Sequence, residues 1–178
     1  LYITLASTIS EYEKVILVCR DQIMKRVVQK ALVRKGAVMK QIQFVIAPSN
    51  DTWVRDFGPI TRQRGCQLEC VDFQFNAWGQ KYSAGLDNQM TATLASHDLF
   101  HNPPIETDIV LEGGAIESDG QGTLMTTTNC LLSPTRNPGY NRAAYESCFN
   151  QLLGIEKVNW INHGQLDGDD TDGHIDTL

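Results

Sequence analysis

Acidic side chains and a histidine are concentrated near the C-terminal end of the sequence. The segment DDTDGHID, Asp169 to Asp176, holds four aspartates and His174 within eight residues. Two earlier segments are also acidic, NDTWVRDFGP with Asp51 and Asp56, and LEGGAIESDG with Glu112. Ionised carboxylates that share one pocket repel each other, so such a pocket needs protonation, a metal ion or a cationic ligand.

The residue types favour an organic cation over a metal ion. The segment DGDDTDGHIDTL does not place acidic residues in the register of a calcium loop of the EF-hand type. A zinc site usually uses two or more His or Cys residues, and the tight motif offers His174 alone, with His163 nearby. A guanidinium is planar and permanently charged, and paired carboxylates can bind both of its edges. We therefore expect a guanidinium ligand and neither a metal nor a cofactor.

Other residues near these acidic groups suit the same chemistry. Trp53 offers an aromatic face to a guanidinium. His174 and Asp176, two residues apart on a predicted strand, would point to one face, where His174 could move protons and Asp176 could bind the ligand. Arg55 is expected to form a structural ion pair, and Cys130 is expected to be a buried core residue.

The hydrophobic pattern alternates strands with helices. Strands are predicted at KVILVC, IQFVIA, LECVDFQF and KVNWIN, and a hairpin is predicted around the turn DGQG. Helices are predicted to begin near residues 21, 87 and 141; Gly36 ends the first, Asp87 or Asn88 caps the second, and Gly154 ends the third.

These elements make a strand–helix–strand cycle that recurs about three times with a period of roughly 55 to 65 residues. In a radial arrangement, equivalent loops would converge at one end of the central axis. Taken singly, DDTDG is typical of a solvated turn and EGGAIESDGQG of a hairpin turn. Their recurrence at equivalent points of one repeat favours a shared functional site instead.

Composition narrows the class of protein. The 178 residues are 42% apolar and 20% charged, as in an ordinary globular protein. The net charge of -6 argues against a nucleic-acid partner, and no apolar run approaches the length of a membrane span. Five scattered cysteines without C-x-x-C spacing indicate reduced thiols. We expect a soluble, cytoplasmic protein.

Three segments, NDTWVRDFGP, LEGGAIESDGQGTLMTTTNCLLSPTRNP and DDTDGHID, resemble the agmatine deiminase family. This family is also called the bacterial-type peptidylarginine deiminase family and lies within the guanidine-modifying pentein superfamily. The similarity runs from about Val45 to the last residue. It implies an α/β fold of the pentein propeller type, five-bladed in the family, with about three blades' worth in this chain.

The resemblance also implies a chemistry. Members hydrolyse the guanidinium of agmatine to N-carbamoylputrescine and ammonia through a covalent thiouronium on cysteine, a reaction of putrescine biosynthesis, and form homodimers. By motif, Asp56 and Asp176 would clamp the guanidinium, Glu112 would contact it and share proton handling, and His174 would be the general acid and base. Trp53 would line the pocket. Asp169 or Asp170 would suit the distal ammonium of agmatine, and we name Asp170 as a substrate-binding residue.

One departure from the family pattern limits these expectations. In the family the nucleophilic cysteine lies in a Gly-rich segment near the end of a longer chain, and none of the five cysteines here takes its place. We therefore expect residues 1–178 to be a partial propeller domain, truncated at both ends relative to the family and inactive alone. The alternatives are a peptidylarginine deiminase, a non-catalytic fragment that keeps the acidic pocket and, less well supported, a metal-dependent hydrolase.

Overall fold

The computed structural model describes residues 1–164, 167–168, 171 and 173–178 of the chain. The chain divides into two compact units, Leu1–Ser49 and Asn50–Leu178. Within the described ranges, no helix is both long and apolar enough to cross a bilayer.

The first unit is a parallel two-stranded sheet with two helices. Strands β1 (Val15–Cys19) and β2 (Ile42–Ile46) pair in parallel along their whole length. Helix α2 (Gln22–Lys35) connects them, because parallel neighbours need a crossover rather than a tight turn. Helix α1 (Tyr2–Ile9) packs against α2, and a 3₁₀ helix (Met39–Gln41) precedes β2.

The limits of α2 follow from two residues. The side chain of Asp21 accepts a hydrogen bond from the backbone N–H of Met24 at 2.7 Å, which satisfies one of the free N–H groups of the first turn. Gly36 takes a left-handed conformation with φ of 82°, which glycine adopts without steric cost. The predicted end of this helix at Gly36 is confirmed.

The second unit contains two three-stranded sheets of the same design. In the first, β3 (Ile60–Arg64) and β4 (Gln67–Gln74) form a hairpin, and β5 (Ile105–Val110) joins β4 in parallel. In the second, β6 (Ile116–Ser118) and β7 (Thr123–Thr127) form the hairpin, and β8 (Lys157–Ile161) joins β7 in parallel. The remaining helices are α3 (Val54–Phe57), α4 (Ala77–Gln80), α5 (Met90–Ala95), α6 (Thr128–Leu131), α7 (Arg142–Leu153) and the 3₁₀ helices Asp87–Gln89, Gly113–Ala115 and Ile175–Thr177.

The predicted recurrence is present in all three sheets. A strand, a helix and a parallel strand follow one another as β1–α2–β2, β4–α5–β5 and β7–α7–β8. Helix α7 ends at Gly154, whose φ is 73°, as predicted. The mixed α/β class is confirmed. The sheets of the described residues are open, and a closed propeller stays a prediction.

Two local predictions are wrong. Neither Asp87 nor Asn88 caps α5, because the Asp87 carboxylate binds the backbone of Asn50 and Asp51, and Asn88 binds Phe75 and Gln74. His174 precedes a 3₁₀ helix, Ile175–Thr177, and Asp176 lies within it, so the predicted strand is absent here. The backbone N–H and hydroxyl of Thr177 both bond the His174 carbonyl, and such local bonds replace those of a sheet ladder.

The core of the second unit fixes the ends of its strands. Tyr145 and Phe149 of α7 are fully buried. They pack within one cluster with residues of β4, β6, β7 and α7 and of the segments after β5, β7 and α7, namely Val71, Phe73, Leu111, Ala115, Ile116, Leu124, Cys130, Leu131, Cys148 and Ile155. Because Leu111 and Ala115 belong to this cluster, the segment between them is anchored at both ends.

Candidate active site

Four of the predicted side chains meet at one point of the second unit. Asp56 lies in α3, Glu112 lies two residues after β5 and just before the 3₁₀ helix Gly113–Ala115, and His174 and Asp176 lie at the 3₁₀ helix near the C-terminal end. The side chains of Asp56, Glu112 and His174 are almost completely buried, whereas that of Asp176 is 31% exposed. The cluster therefore has one solvent-facing side.

His174 is the centre of this cluster. Its Nδ1 lies 3.6 Å from Asp56 Oδ1 and 3.9 Å from Asp176 Oδ1. Its Nε2 lies 4.0 Å from Glu112 Oε2 on the other side of the ring. The imidazole is therefore within one small movement of three carboxylates, as an acid–base group requires.

Two N–H donors orient the carboxylate of Asp56. The indole Nε1–H of Trp78 donates to Oδ2 at 3.0 Å, and the backbone N–H of Gly114 donates to Oδ1 at 3.0 Å. Trp78 reaches this position from a turn in which Ala77, Trp78 and Gln80 all have positive φ. Left-handed backbone is uncommon for such residues and is retained where the surroundings impose it.

A buried arginine orients the carboxylate of Glu112. Arg136 Nε donates to Glu112 Oε1 at 3.1 Å, and both side chains are 0% exposed. Arg136 also donates to the carbonyl of Thr171 at 3.4 Å. Cys130 Sγ lies 4.0 Å from Glu112 Oε2. Because removal of one partner would leave a buried charge unpaired, the pair fixes Glu112 in place.

Gly114 allows the acidic groups to approach one another. A Cβ at this position would lie 2.6 Å from His174 Nδ1, 2.7 Å from Asp176 Oδ2 and 2.7 Å from Asp56 Oδ1. Real Cβ atoms essentially never come this close to other heavy atoms. The second glycine of the segment EGGA is therefore required by the packing of the site.

The carboxylates affect each other electrostatically. Burial raises the pKa of Asp176, the negative charge of Asp56 adds to this effect, and His174 opposes it. A cation placed beside Asp176 would remove both costs, because it compensates for lost hydration and for repulsion from Asp56. The arrangement therefore suits a positively charged ligand.

A further aspartate holds the segment that carries Asp56. The Asp87 carboxylate accepts the backbone N–H of Asn50 at 2.7 Å and that of Asp51 at 3.1 and 3.2 Å. The side chain of Asn50 accepts the N–H of Leu86 at 2.8 Å in return. Burial raises the pKa of Asp87, and the two backbone donors oppose this shift. These bonds fix the chain immediately before α3.

The other predicted residues are exposed, bond within their own loop or lie outside the described residues. The side chain of Trp53 is at the surface, and the residue is 60% exposed. Asp51 binds its own loop through the N–H of Thr52. Asp170 lies outside the described residues, as do Asp169 and Asp172. Arg55 forms the expected ion pair, with Glu117 at 2.9 Å.

Sequence reasoning missed the residues that orient the acidic groups. Arg136 stands alone among apolar and small residues in NCLLSPTRNP, and an arginine in such a context is buried only with a partner. Trp78 stands in NAWG, between turn-forming residues that indicate unusual backbone. Cys130 was predicted to be buried, and it is, but the pattern gave no sign of its approach to Glu112.

The fold is mixed α/β, and the cluster of carboxylates around a histidine has the chemistry to suit a cation and proton transfer. Comparison with known proteins assigns it to a family. The model of the Porphyromonas-type peptidyl-arginine deiminase family matches residues 1–178. The chain belongs to this family.

Individual relatives agree with this assignment. A Vibrio parahaemolyticus protein provisionally named agmatine deiminase is 43% identical over 142 residues, which are 77% of this chain and 39% of that protein. A solved structure provisionally described as a peptidyl-arginine deiminase is 38% identical with a TM-score of 0.88, over 99% of this chain and 51% of its own. C. jejuni agmatine deiminase with substrate bound is 33% identical with a TM-score of 0.84, over 99% and 50%. The chain thus spans about half the length of these solved relatives, and less of the curated one.

Proposed function

We propose that the complete protein that carries this chain is an agmatine deiminase, a hydrolase of the guanidino C–N bond. It would convert agmatine and water to N-carbamoylputrescine and ammonia. The observation that carries the proposal is the convergence of Asp56, Glu112, Asp176 and His174 at one point, in a chain whose curated relatives include provisionally named agmatine deiminases.

Each residue of the cluster has a role in this proposal. Asp56 and Asp176 accept N–H groups from two edges of the guanidinium, and their charge offsets the cost of taking it out of water. Glu112 contacts the guanidinium and exchanges protons with His174. Trp53 and Asp170 complete the binding pocket as predicted from the sequence.

The reaction proceeds in two stages. A cysteine thiolate adds to the guanidinium carbon, and His174 protonates the departing nitrogen, which leaves as ammonia. His174 then takes a proton from water, which attacks the thiouronium carbon and releases the thiolate and the ureido product. The family resemblance supports a cysteine in a Gly-rich segment of the complete protein, outside residues 1–178, as this nucleophile.

The proposal also covers the propeller architecture, the oligomeric state, the cellular compartment and the charge of the substrate. The three strand–helix–strand units support a pentein-type propeller, since equivalent loops of such repeats face one axis. The family resemblance supports a homodimer that works in the cytoplasm and contributes to putrescine biosynthesis. The net charge of -6 supports a small cationic substrate rather than nucleic acid.

Peptidyl-arginine is the second candidate substrate, because the description of the matching family names it. Agmatine ends in an ammonium, whereas a peptide carries amide groups at that position. Acidic residues at the end of the pocket away from the guanidinium, such as those of the segment DGDDTDG, would therefore favour agmatine.

The test is ammonia release by the complete protein from agmatine and from an arginine peptide at equal concentration, with and without chelator. We expect turnover of agmatine that the chelator does not abolish, with N-carbamoylputrescine as product. Preference for the peptide would establish the second candidate. Loss of activity on chelation would indicate a metal-dependent hydrolase, and the absence of turnover on both substrates would leave a binding protein.

A further inference from the structure

The two ring nitrogens of His174 have different surroundings. Nε2 is buried and has no hydrogen-bond partner among the described residues. The opposite nitrogen, Nδ1, faces the carboxylates of Asp56 and Asp176 at 3.6 and 3.9 Å. A buried polar atom without a partner costs free energy, so a ligand that supplies a partner for Nε2 would bind favourably there.

The surroundings of the ring determine what kind of partner Nε2 can accept. When the neutral imidazole carries its proton on Nδ1, toward the carboxylates of Asp56 and Asp176, Nε2 has a free lone pair. Carboxylates in this position are common behind histidines that bind metals, because they orient the ring and strengthen the donor atom. Nε2 therefore has the character of a metal ligand.

Two further donor atoms face the same point. Glu112 Oε2 lies 4.0 Å from His174 Nε2 and 4.0 Å from Cys130 Sγ. All three donor atoms lie within 4.8 Å of one another, and all three residues are buried. Tetrahedral zinc, with bonds of roughly 2.0 to 2.3 Å, holds its ligand atoms roughly 3.4 to 3.6 Å apart. Shifts of several tenths of an ångström would bring the three atoms to that geometry.

The balance of charge permits a cation there despite Arg136. The guanidinium of Arg136 binds Oε1 of Glu112, so Oε2 is the oxygen that faces the histidine and the cysteine. Binding would release the thiol proton of Cys130 to solvent, which removes one unit of the added charge. The carboxylates of Asp56 and Asp176 lie next to the ring and offset the rest.

We propose that Glu112, Cys130 and His174 form a binding site for a borderline-soft divalent cation such as Zn²⁺, and that the bound cation excludes the guanidinium substrate. The first half stands on the donor geometry alone, and the second half rests on the proposed function. The metal occupies Glu112 and His174, so metal and agmatine compete for the same two side chains.

Sequence reasoning excluded zinc because it counted the donors of the segment around His174 only. The structure brings in Cys130 from the helix after β7 and Glu112 from the end of β5. The proposed metal is an inhibitor, so the proposal agrees with an enzyme that needs no cofactor.

The binding test uses Co²⁺ as a spectroscopic substitute for Zn²⁺ in the complete protein. Cys66, the exposed thiol, is first replaced by serine to remove a competing ligand. We expect a sulfur-to-cobalt charge-transfer band with the visible bands of a tetrahedral site, reversed by Zn²⁺. The band should disappear in Cys130→Ser and persist in Cys148→Ser. Cys148 is a buried cysteine of α7 that is not one of the three proposed donors. A band that persists in a folded Cys130→Ser variant, or no band in the parent, overturns the proposal.

The competition test measures agmatine turnover against Zn²⁺ concentration, with each variant normalised to its own metal-free rate. We expect agmatine to protect the enzyme and Cys130→Ser to need at least about tenfold more Zn²⁺ for half inhibition. Equal sensitivity of Cys130→Ser and Cys148→Ser would overturn the inhibitory half. If the metal-free protein turns over no substrate, the proposed function fails, whereas the cobalt spectrum still decides the metal site.

Discussion

At the scale of single residues, hydrogen bonds hold the carboxylates of the site in fixed orientations. The Asp56 carboxylate is fixed by Trp78 and Gly114, and that of Glu112 by Arg136. Groups held this way need no reorganisation when a charged ligand arrives, which is how preorganised sites gain most of their catalytic advantage. The residues that hold the carboxylates therefore matter as much as the carboxylates.

Replacement of Asp56 by asparagine should damage activity far more than stability. The change removes one charge from the proposed clamp and should reduce kcat/KM for agmatine at least about a hundredfold. Its amide group would meet an N–H donor, either of Trp78 or of Gly114, at a cost of about 1–3 kcal/mol in the free energy of unfolding. Steady-state kinetics and urea denaturation of the complete protein measure both quantities.

The matched control for this variant is Asp51→Asn, since Asp51 lies five residues earlier in the same segment and its carboxylate accepts the N–H of Thr52 in its own loop. Near-normal turnover by Asp56→Asn, or an equal loss in Asp51→Asn, would contradict the role assigned to Asp56.

Replacement of Gly114 by alanine tests the geometry of the cluster. The added methyl group would lie within 2.7 Å of atoms of His174, Asp176 and Asp56, so we expect a loss of about 1–3 kcal/mol in stability and loss of most activity. Gly85→Ala is the control, because a Cβ there meets no atom within 4 Å. Similar unfolding curves and rates for the two variants would show that the four side chains do not converge as described.

At the scale of elements, the site is assembled by segments that follow strands or precede short helices. The bond between Asp87 and the backbone of Asn50 and Asp51 ties the segment before α3 to the 3₁₀ helix Asp87–Gln89. Such an attachment sets the position of Asp56 without touching it. Loss of this attachment should therefore lower both the free energy of unfolding and the activity.

Replacement of Asp87 by alanine should release this segment. Two backbone N–H groups would lose their acceptor, which costs about 1–3 kcal/mol in the free energy of unfolding. Amide exchange at Asn50 and Asp51 should accelerate, and turnover should fall because α3 is less well placed. Asp108→Ala, at an exposed position of β5, is the control. Unchanged exchange at Asn50 and Asp51 in Asp87→Ala would be incompatible with the attachment.

The sequence predicted elements well where one local pattern decided them. Helices α2 and α7 and the hairpin of β6 and β7 follow from apolar spacing and from glycines at their ends. Asp87 failed as a predicted cap because a partner 37 residues away competes for its carboxylate. The predicted strand at His174 failed because Thr177 bonds back to the histidine carbonyl.

The same reasoning applies to the site. Its acidic residues and histidine were identified because their chemistry is visible in the residue types. Their supports were not, because Trp78 lies 22 residues from Asp56 and Arg136 lies 24 residues from Glu112. No periodicity in a single sequence specifies a contact between side chains that distant in the chain.

At the scale of the whole molecule, the second unit is stabilised by a core that holds two weakly acidic groups in their protonated form. Burial raises the pKa of Tyr145 from 10.0 to about 12, and it raises that of Cys148 from 9.0 to about 11. Both residues lie on α7. The folded state thus keeps protons that the unfolded state releases at lower pH.

Stability should therefore fall in the alkaline range. The Cys148 contribution is complete below pH 9.0 and is lost as pH rises through about 11, and that of Tyr145 is complete below pH 10.0 and is lost through about 12. Each group contributes a slope of at most about 1.4 kcal/mol per pH unit. Denaturation at a series of alkaline pH values measures this slope of unfolding free energy against pH.

Two variants isolate the groups responsible for this slope. Cys148→Ala should flatten the lower part of the decline, and Tyr145→Phe the upper part, whatever either change costs at neutral pH. A slope that survives in the double variant Cys148→Ala and Tyr145→Phe would place the titrating groups elsewhere.

The hydrogen bond between Trp78 and Asp56 makes the fluorescence of Trp78 sensitive to what binds beside Asp56. The indole of Trp78 is buried, with its N–H 3.0 Å from the Asp56 carboxylate, whereas Trp53 is mostly exposed and Trp160 donates to Glu146 at 2.8 Å. A cation that arrives beside Asp56 changes the electric field across the Trp78 ring, because that carboxylate accepts the hydrogen bond of the indole N–H. Fluorescence of Trp78 should therefore shift when the pocket fills, so occupancy can be followed without any added label.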